Sequence, residues 1–184
     1  MNKDRSAVHV IQAYRHFIEA GRRTKVIWTS QNQFEEHEIS AIWNEPLPAN
    51  KIDHFFASHD WHLPSDYRGF IEKYNGCQLF ADSQYGGGIR ILDIQEVEHI
   101  HTETNLPPHW IPIVWTEGVS GSICIDSKRI EIGSFPYLYF LDAMDAPEEC
   151  IPIHCDFTTW LKRLIESQGH EFWLWEKYDR LKFQ

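Results

Sequence analysis

Apolar residues recur at three-and-four spacing near the start of the chain. Ala7, Val10, Ile11, Tyr14, Phe17 and Ile18 predict an amphipathic helix over 7–18 that ends near Gly21. Lys25–Ser30 is short and β-branched, a strand pattern. Gln31–Pro48 is mixed, and Phe34, Ile39, Ile42 and Trp43 stand there as helical anchors. Asn50 is placed to cap a helix over 51–59 with Ile52, Phe55 and Phe56 inward. The most regular piece is LPSDYRGFIEKYNG at 63–76. Pro64 suits an early helical position, Asp66 adds negative charge near the N-terminal dipole, and Tyr67, Phe70, Ile71 and Tyr74 form one stripe. Asn75-Gly76 then supplies a left-handed exit.

Beyond Gly76 the period changes from helical to extended. Strand-like runs fall at 78–81, 88–92, 111–116, 122–126 and 137–141, separated by Gly, Pro, Asp and Ser, with a short helix over 94–100 between them. Helix returns after Asp156, a good N-cap for a stripe of Phe157, Trp160, Leu161, Leu164 and Ile165 that stops at Gly169. The aromatic run Phe172, Trp173, Trp175 and Tyr178 packs back on the sheet in this reading. Helices first, strands in the middle and helix last predict an α+β single domain over 1–184. Its expected form is a mainly antiparallel sheet of about five to six strands with helices packed on it and an N-terminal helical extension.

Composition narrows the function. The chain has 184 residues with 17 Lys plus Arg against 27 Asp plus Glu, a formal net charge of −10. The charge is uneven: Met1–Lys25 holds six bases against two acids and Lys162–Gln184 five against four, which leaves a net −15 on 26–161. Such a surface excludes a general nucleic-acid binder and favours encounter with basic partners. The first residues lack an apolar run followed by small residues, and no long apolar stretch occurs elsewhere. A cytoplasmic protein with reduced cysteines and no membrane contact is expected.

Catalytic motifs fail on context. Gly86-Gly87-Gly88 leads into a strand rather than a helix N-terminus, which makes it a hairpin tip instead of a phosphate cradle. GVSGS at 118–122 lacks the strand–Ser–helix arrangement of a nucleophile elbow and reads as a turn between strands. His59, His62, His99, His101, Cys150, His154, Cys155 and Asp156 include ligand types without zinc spacing, so no metal, no cofactor and no enzymatic activity are expected.

Four segments carry a family resemblance in order: 63–76, GIRILDIQEVEHI at 88–100, WIPIVWTEGVSGSICID at 110–126, and YLYFLDAMDAPEECIPIHCDFTTWLKRLI at 137–165. Together they make the chain resemble the SUKH superfamily, which takes in a yeast cell-wall-assembly regulator and many bacterial immunity proteins that neutralise polymorphic toxins. The resemblance spans roughly Leu63–Trp175. It implies a SUKH-like core over 51–184 and an unmatched elaboration over 1–50. It also implies an α+β fold that acts by binding, without catalysis or cofactor, on a cognate toxin, commonly a nuclease or another nucleic-acid-modifying domain.

The charge pattern suits that implication, because toxins acting on nucleic acid are usually basic. The partner-binding residues expected on this reading are Glu96, Glu98, Glu117, Asp142, Asp145, Glu148 and Glu149, with Trp115 as a central aromatic anchor. Two alternatives stand beside it: a regulatory protein-interaction scaffold of the same fold, and a metal-dependent hydrolase built from histidines and carboxylates.

Overall fold

Strands succeed one another across one antiparallel sheet in chain order, so every neighbour in the sheet is also a neighbour in sequence. The computed structural model describes residues 6–19, 24–28, 33–82 and 84–175. Among these, the order is α1 (Ala7–Glu19), β1 (Thr24–Trp28), β2 (Phe34–Trp43), α2 (Ala49–Ser58), α3 (Ser65–Tyr74), β3 (Cys77–Asp82), β4 (Ile89–Ile91) and α4 (Ile94–Glu103). There follow β5 (Trp110–Thr116), β6 (Gly121–Asp126), α5 (Ser127–Glu131), β7 (Leu138–Asp142), β8 (Ile151–Ile153) and α6 (Phe157–Glu166). The predicted α+β architecture holds. Gly21, Thr29, Ser30, Gln31, Tyr178 and the Phe17 side chain, which figure in the sequence reading, lie outside the described residues.

The strand count is higher than the predicted five to six. Strands β2–β8 make one continuous ladder of seven, and β1 adds an eighth by pairing with the first half of β2. Residues 34–43, read from sequence as helical, are β2. Ile39 is buried while Phe34 and Ile42 are largely exposed, so these residues do not share a helical face. The N-terminal extension is therefore one helix and a β-hairpin, and the hairpin's second strand is hydrogen-bonded to β3. The edge strand β8 went unpredicted because it is three residues long and carries a proline at its centre.

Helix ends differ in detail. Pro48 takes the N-cap position of α2 and Asn50 lies inside its first turn, and Pro64 likewise stands at the N-cap of α3. Asn75 leaves α3 in the left-handed region at φ 44° and Gly76 follows at φ 84°, as the Asn-Gly pair predicts. Gly76 is irreplaceable on spatial grounds as well, since a Cβ there would sit 2.6 Å from the Ile91 carbonyl oxygen.

Helices α1, α3 and α6 pack against one another and cover one sheet face. On that face Ile91, Val114, Ile123 and Phe140 stand opposite one another across β4–β7, all buried. Between helices and sheet lies an aromatic cluster: the Phe157 ring is 5.1 Å from Tyr67, 5.5 Å from Phe70 and 5.8 Å from Trp160.

The start of α6 sits in this apolar layer, and each N–H of its first turn has an acceptor. Phe157 N–H donates to the Tyr137 hydroxyl at 3.2 Å, Thr158 N–H to Asp66 Oδ2 at 2.8 Å and Thr159 N–H to Asp156 Oδ1 at 2.7 Å. Trp160 N–H donates to the Asp156 carbonyl at 2.9 Å. Asp66, expected to serve its own helix, thus also caps a helix 92 residues further on.

The N-terminal hairpin is tied to β3 by His37, whose Nδ1 contacts the Asp82 carboxylate while Nε2 lies 3.4 Å from Glu35. The bond to Asp82 raises His37 above its ordinary 6.5. The backbone N–H groups of Tyr85 and Gln84, together with His37, lower Asp82.

Asp66→Ala is expected to cost about 1–3 kcal/mol, since it strands the Thr158 N–H beside the core, and Asp66→Asn less because an acceptor remains; urea unfolding midpoints measure both. The His37 contribution is complete below the ordinary histidine value and is lost as pH rises through the raised one. Asp82's is complete above the ordinary carboxylate value and is lost as pH falls through the lowered one. Stability should therefore decline as pH climbs past the raised His37 value, and His37→Asn should flatten that decline in melts taken across the range.

Candidate functional site

The sheet has a second face, turned away from α1, α3 and α6. Cross-strand pairing puts Arg90, Trp115, Ser122 and Leu141 in one row across β4–β7. Beside it Trp110, Cys124, Tyr139 and Leu141 form a small separate core, closed by Leu106 and Cys150, in which the Trp110 and Tyr139 rings stack at 5.3 Å. Strands β6 and β7 can approach closely because β6 opens with glycine. A Cβ at Gly121 would meet the Leu141 carbonyl oxygen at 2.6 Å and the Phe140 ring at 2.7 Å.

Two connections rise beside this face: the segment after α4 and the segment after β7. Between them and the strands is a concavity of about 360 Å³, lined by Trp115, Ser122 and Leu141 from the sheet, by Glu103 and Asp142 at the ends of α4 and β7, and by Asp145 from the connection after β7. Trp115 is half-buried there and Ser122 is buried. Met144, in the same connection, is 92 % exposed. A larger concavity of about 590 Å³ lies on the helical side between α1, β2 and α6, walled by Val10, Ala13, Tyr14, Ile39 and Ile165. It holds none of the partner residues expected from sequence.

The structure thus brings Trp115, Asp142 and Asp145 to one concavity. Glu148 and Glu149 lie on the adjoining 3-10 turn, Pro147–Glu149, both exposed. Some of these acids have local work: Asp142 Oδ1 accepts from Met144 N–H at 3.0 Å, and Glu149 Oε2 from Ala146 N–H at 3.1 Å. Glu96 holds a helix end. It returns a bond to the Asp93 N–H in a capping box for α4 and lies 3.3 Å from Arg90. Glu98 is exposed on the same helix, and Glu117 sits in the β5–β6 turn near Gly87, outside the concavity. Sequence reasoning missed Ser122, Leu141 and Met144, although strand alternation in 121–126 and 138–142 would have put the first two on one face.

The other candidate chemistry is dispersed. His59 stacks on Trp61 at 4.4 Å and Trp61 meets His101 edge-on at 4.9 Å, an aromatic cluster in which burial lowers His101 below its ordinary value. Burial pushes the Cys155 thiol up to about 11, the reverse of what an activated thiolate needs. Among the described residues no three His, Cys, Asp or Glu side chains gather to hold a metal ion, and no helix is long and apolar enough to cross a membrane.

Residues 46–163, from just before α2 into α6, match the SMI1 / KNR4 family (SUKH-1). The chain belongs to that family. It is also similar to two proteins of Bacillus subtilis (strain 168), both uncharacterized. YobM is 30 % identical over 135 residues, covering 70 % of this chain and 71 % of the relative; YnaB is 26 % identical over 111 residues, covering 60 % and 71 %. The SUKH-1 match includes the sheet row, both connections beside the concavity and the Asp66–Thr158 contact. It begins after α1, β1 and β2.

Glu96→Ala should lower stability by about 0.5–1 kcal/mol through loss of the capping box, while Glu98→Ala stays within about 0.5 kcal/mol of the parent. Urea unfolding of the two variants separates the helix cap from the solvent-facing acid.

Proposed function

We propose that this SUKH-1 chain is an immunity protein, which binds a basic toxin domain in the cytoplasm and neutralises it without catalysis or cofactor. The observation that carries the reading is the meeting of Trp115 with Asp142 and Asp145 at one concavity on the sheet face turned away from α1, α3 and α6. Exposed Met144, Glu148 and Glu149 extend the same region. A half-buried aromatic ringed by acids and flanked by an exposed methionine is the composition of an interface anchor with a charged rim. The net −15 over 26–161 supplies a field that steers a basic partner toward the chain.

The test is co-expression with the C-terminal domain of the polypeptide encoded beside this gene. Expected are rescue of growth by the parent chain and co-purification of the two. Reversal of Asp145, Glu148 and Glu149 to Lys should weaken association by about tenfold or more and reduce its dependence on salt. Failure to rescue rejects the immunity reading, and unchanged affinity and salt dependence in the triple variant reject this surface.

A further inference from the structure

We propose that the concavity on the open sheet face is a receptor for a single cationic side chain, a lysine or arginine of the bound partner, seated against Trp115. The inference rests on the partner-binding reading above and names the chemistry that the site would take.

Ser122 is the first support. It is 5 % exposed and lines the concavity, yet its hydroxyl forms no hydrogen bond within the protein. The hydroxyl oxygen still reaches the space of the concavity, and its lone pairs offer an acceptor to a donor that enters. Trp115, its cross-strand neighbour, is the second. Indole gives the strongest cation–π platform of the aromatic side chains, and this ring is half-buried, so a cation on it is partly removed from water. The chain's own cation beside it, Arg90, is drawn to Glu96 at 3.3 Å.

Charge and size agree. Glu103, Asp142 and Asp145 line the concavity, and none of the described residues lining it is basic. A positive group that enters gains from all three carboxylates, and an anion is repelled by them. At about 360 Å³ the space is at the small end for ligand sites. It has room for one extended side chain and for neither a helix nor a strand. Leu141 and Ala146 offer apolar wall to the methylene stem while the head group meets Ser122 and the acids.

The probes are N-acetyl-arginine amide and N-acetyl-lysine amide, with N-acetyl-citrulline amide as the neutral isostere of arginine. The readout is the indole N–H resonance of Trp115, assigned by its disappearance in Trp115→Phe. Saturable shifts with dissociation constants on the order of millimolar are expected for the two cations and none for citrulline. Glu103→Gln with Asp145→Asn should weaken binding about threefold or more, as should added salt. Asp142 is left in place because it holds the Met144 turn. A flat titration, an equal response to citrulline, or unchanged binding in the double variant would overturn the proposal. The titration uses no toxin, so its failure removes the side-chain receptor alone, whereas failed rescue in co-expression removes the immunity reading alone.

Discussion

The first turn of α6 must find acceptors for its N–H groups inside an aromatic layer, and the rest of the architecture follows from how it does so. Asp156 supplies the local cap, but Phe157 and Thr158 turn to Tyr137 beside the sheet and to Asp66 at the start of α3. Three separate parts of the chain therefore meet at one helix terminus. Burial supplies most of the energy: Phe70, Phe157 and Trp160 are fully enclosed, and a buried phenylalanine is worth about 1.5–3 kcal/mol. The polar contacts supply position. Apolar packing tolerates a sliding helix, whereas a carboxylate aimed at one particular N–H does not.

With α1, α3 and α6 fixed on one face, the opposite face has to be closed by other means. A sheet whose strands run in chain order has only its connections available for this. The segments after α4 and β7 carry Leu106 and Cys150 to the small core around Trp110 and Tyr139. They cover it incompletely. What remains open is the row containing Trp115, Ser122 and Leu141, and this is why the concavity lies there and mixes strand residues with acidic loop residues.

Elements marked by local signals were legible in the sequence. Asn75-Gly76 ends α3 and Asp156 begins α6 because a left-handed exit and an N-cap are decided within a few residues. Strand β2 was not legible. Its acids Glu35, Glu36 and Glu38 lie on a strand with little burial, so no clean alternation marks it, and its register with β3 shifts between Ser40 and Ile42. The bulge that causes this holds Phe80 at φ 57° and lets Leu79 and Phe80 both enter the core. Asp66's bond to Thr158 is equally hidden, since nothing local ties two residues 92 apart. At the candidate site, Trp115 stood out by type, whereas Ser122 and Leu141 became its neighbours only through strand register. Asp93-x-x-Glu96 spells a capping box, so Glu96 holds the start of α4 besides adding to the charge.

Two physical quantities were folded together in the single figure of net charge. Every carboxylate adds to the long-range field, including those engaged at helix ends and turns, such as Asp66, Asp93, Glu96 and Asp156. That field governs encounter and its response to salt. Contact is different, because a carboxylate already bonded to backbone N–H groups can turn to a partner only by giving up what holds a helix or loop. Glu103 in the concavity and Glu148 on the adjoining turn, both exposed, carry no such bond, while Asp142 and Glu149 each hold a turn. The surface able to grip a partner is thus much smaller than the surface able to attract one. On the proposed reading, a partner drawn in by the whole acidic middle would be held where a few uncommitted acids stand near Trp115, and its specificity would then rest on the sheet register that places that ring in the concavity more than on the abundance of charge.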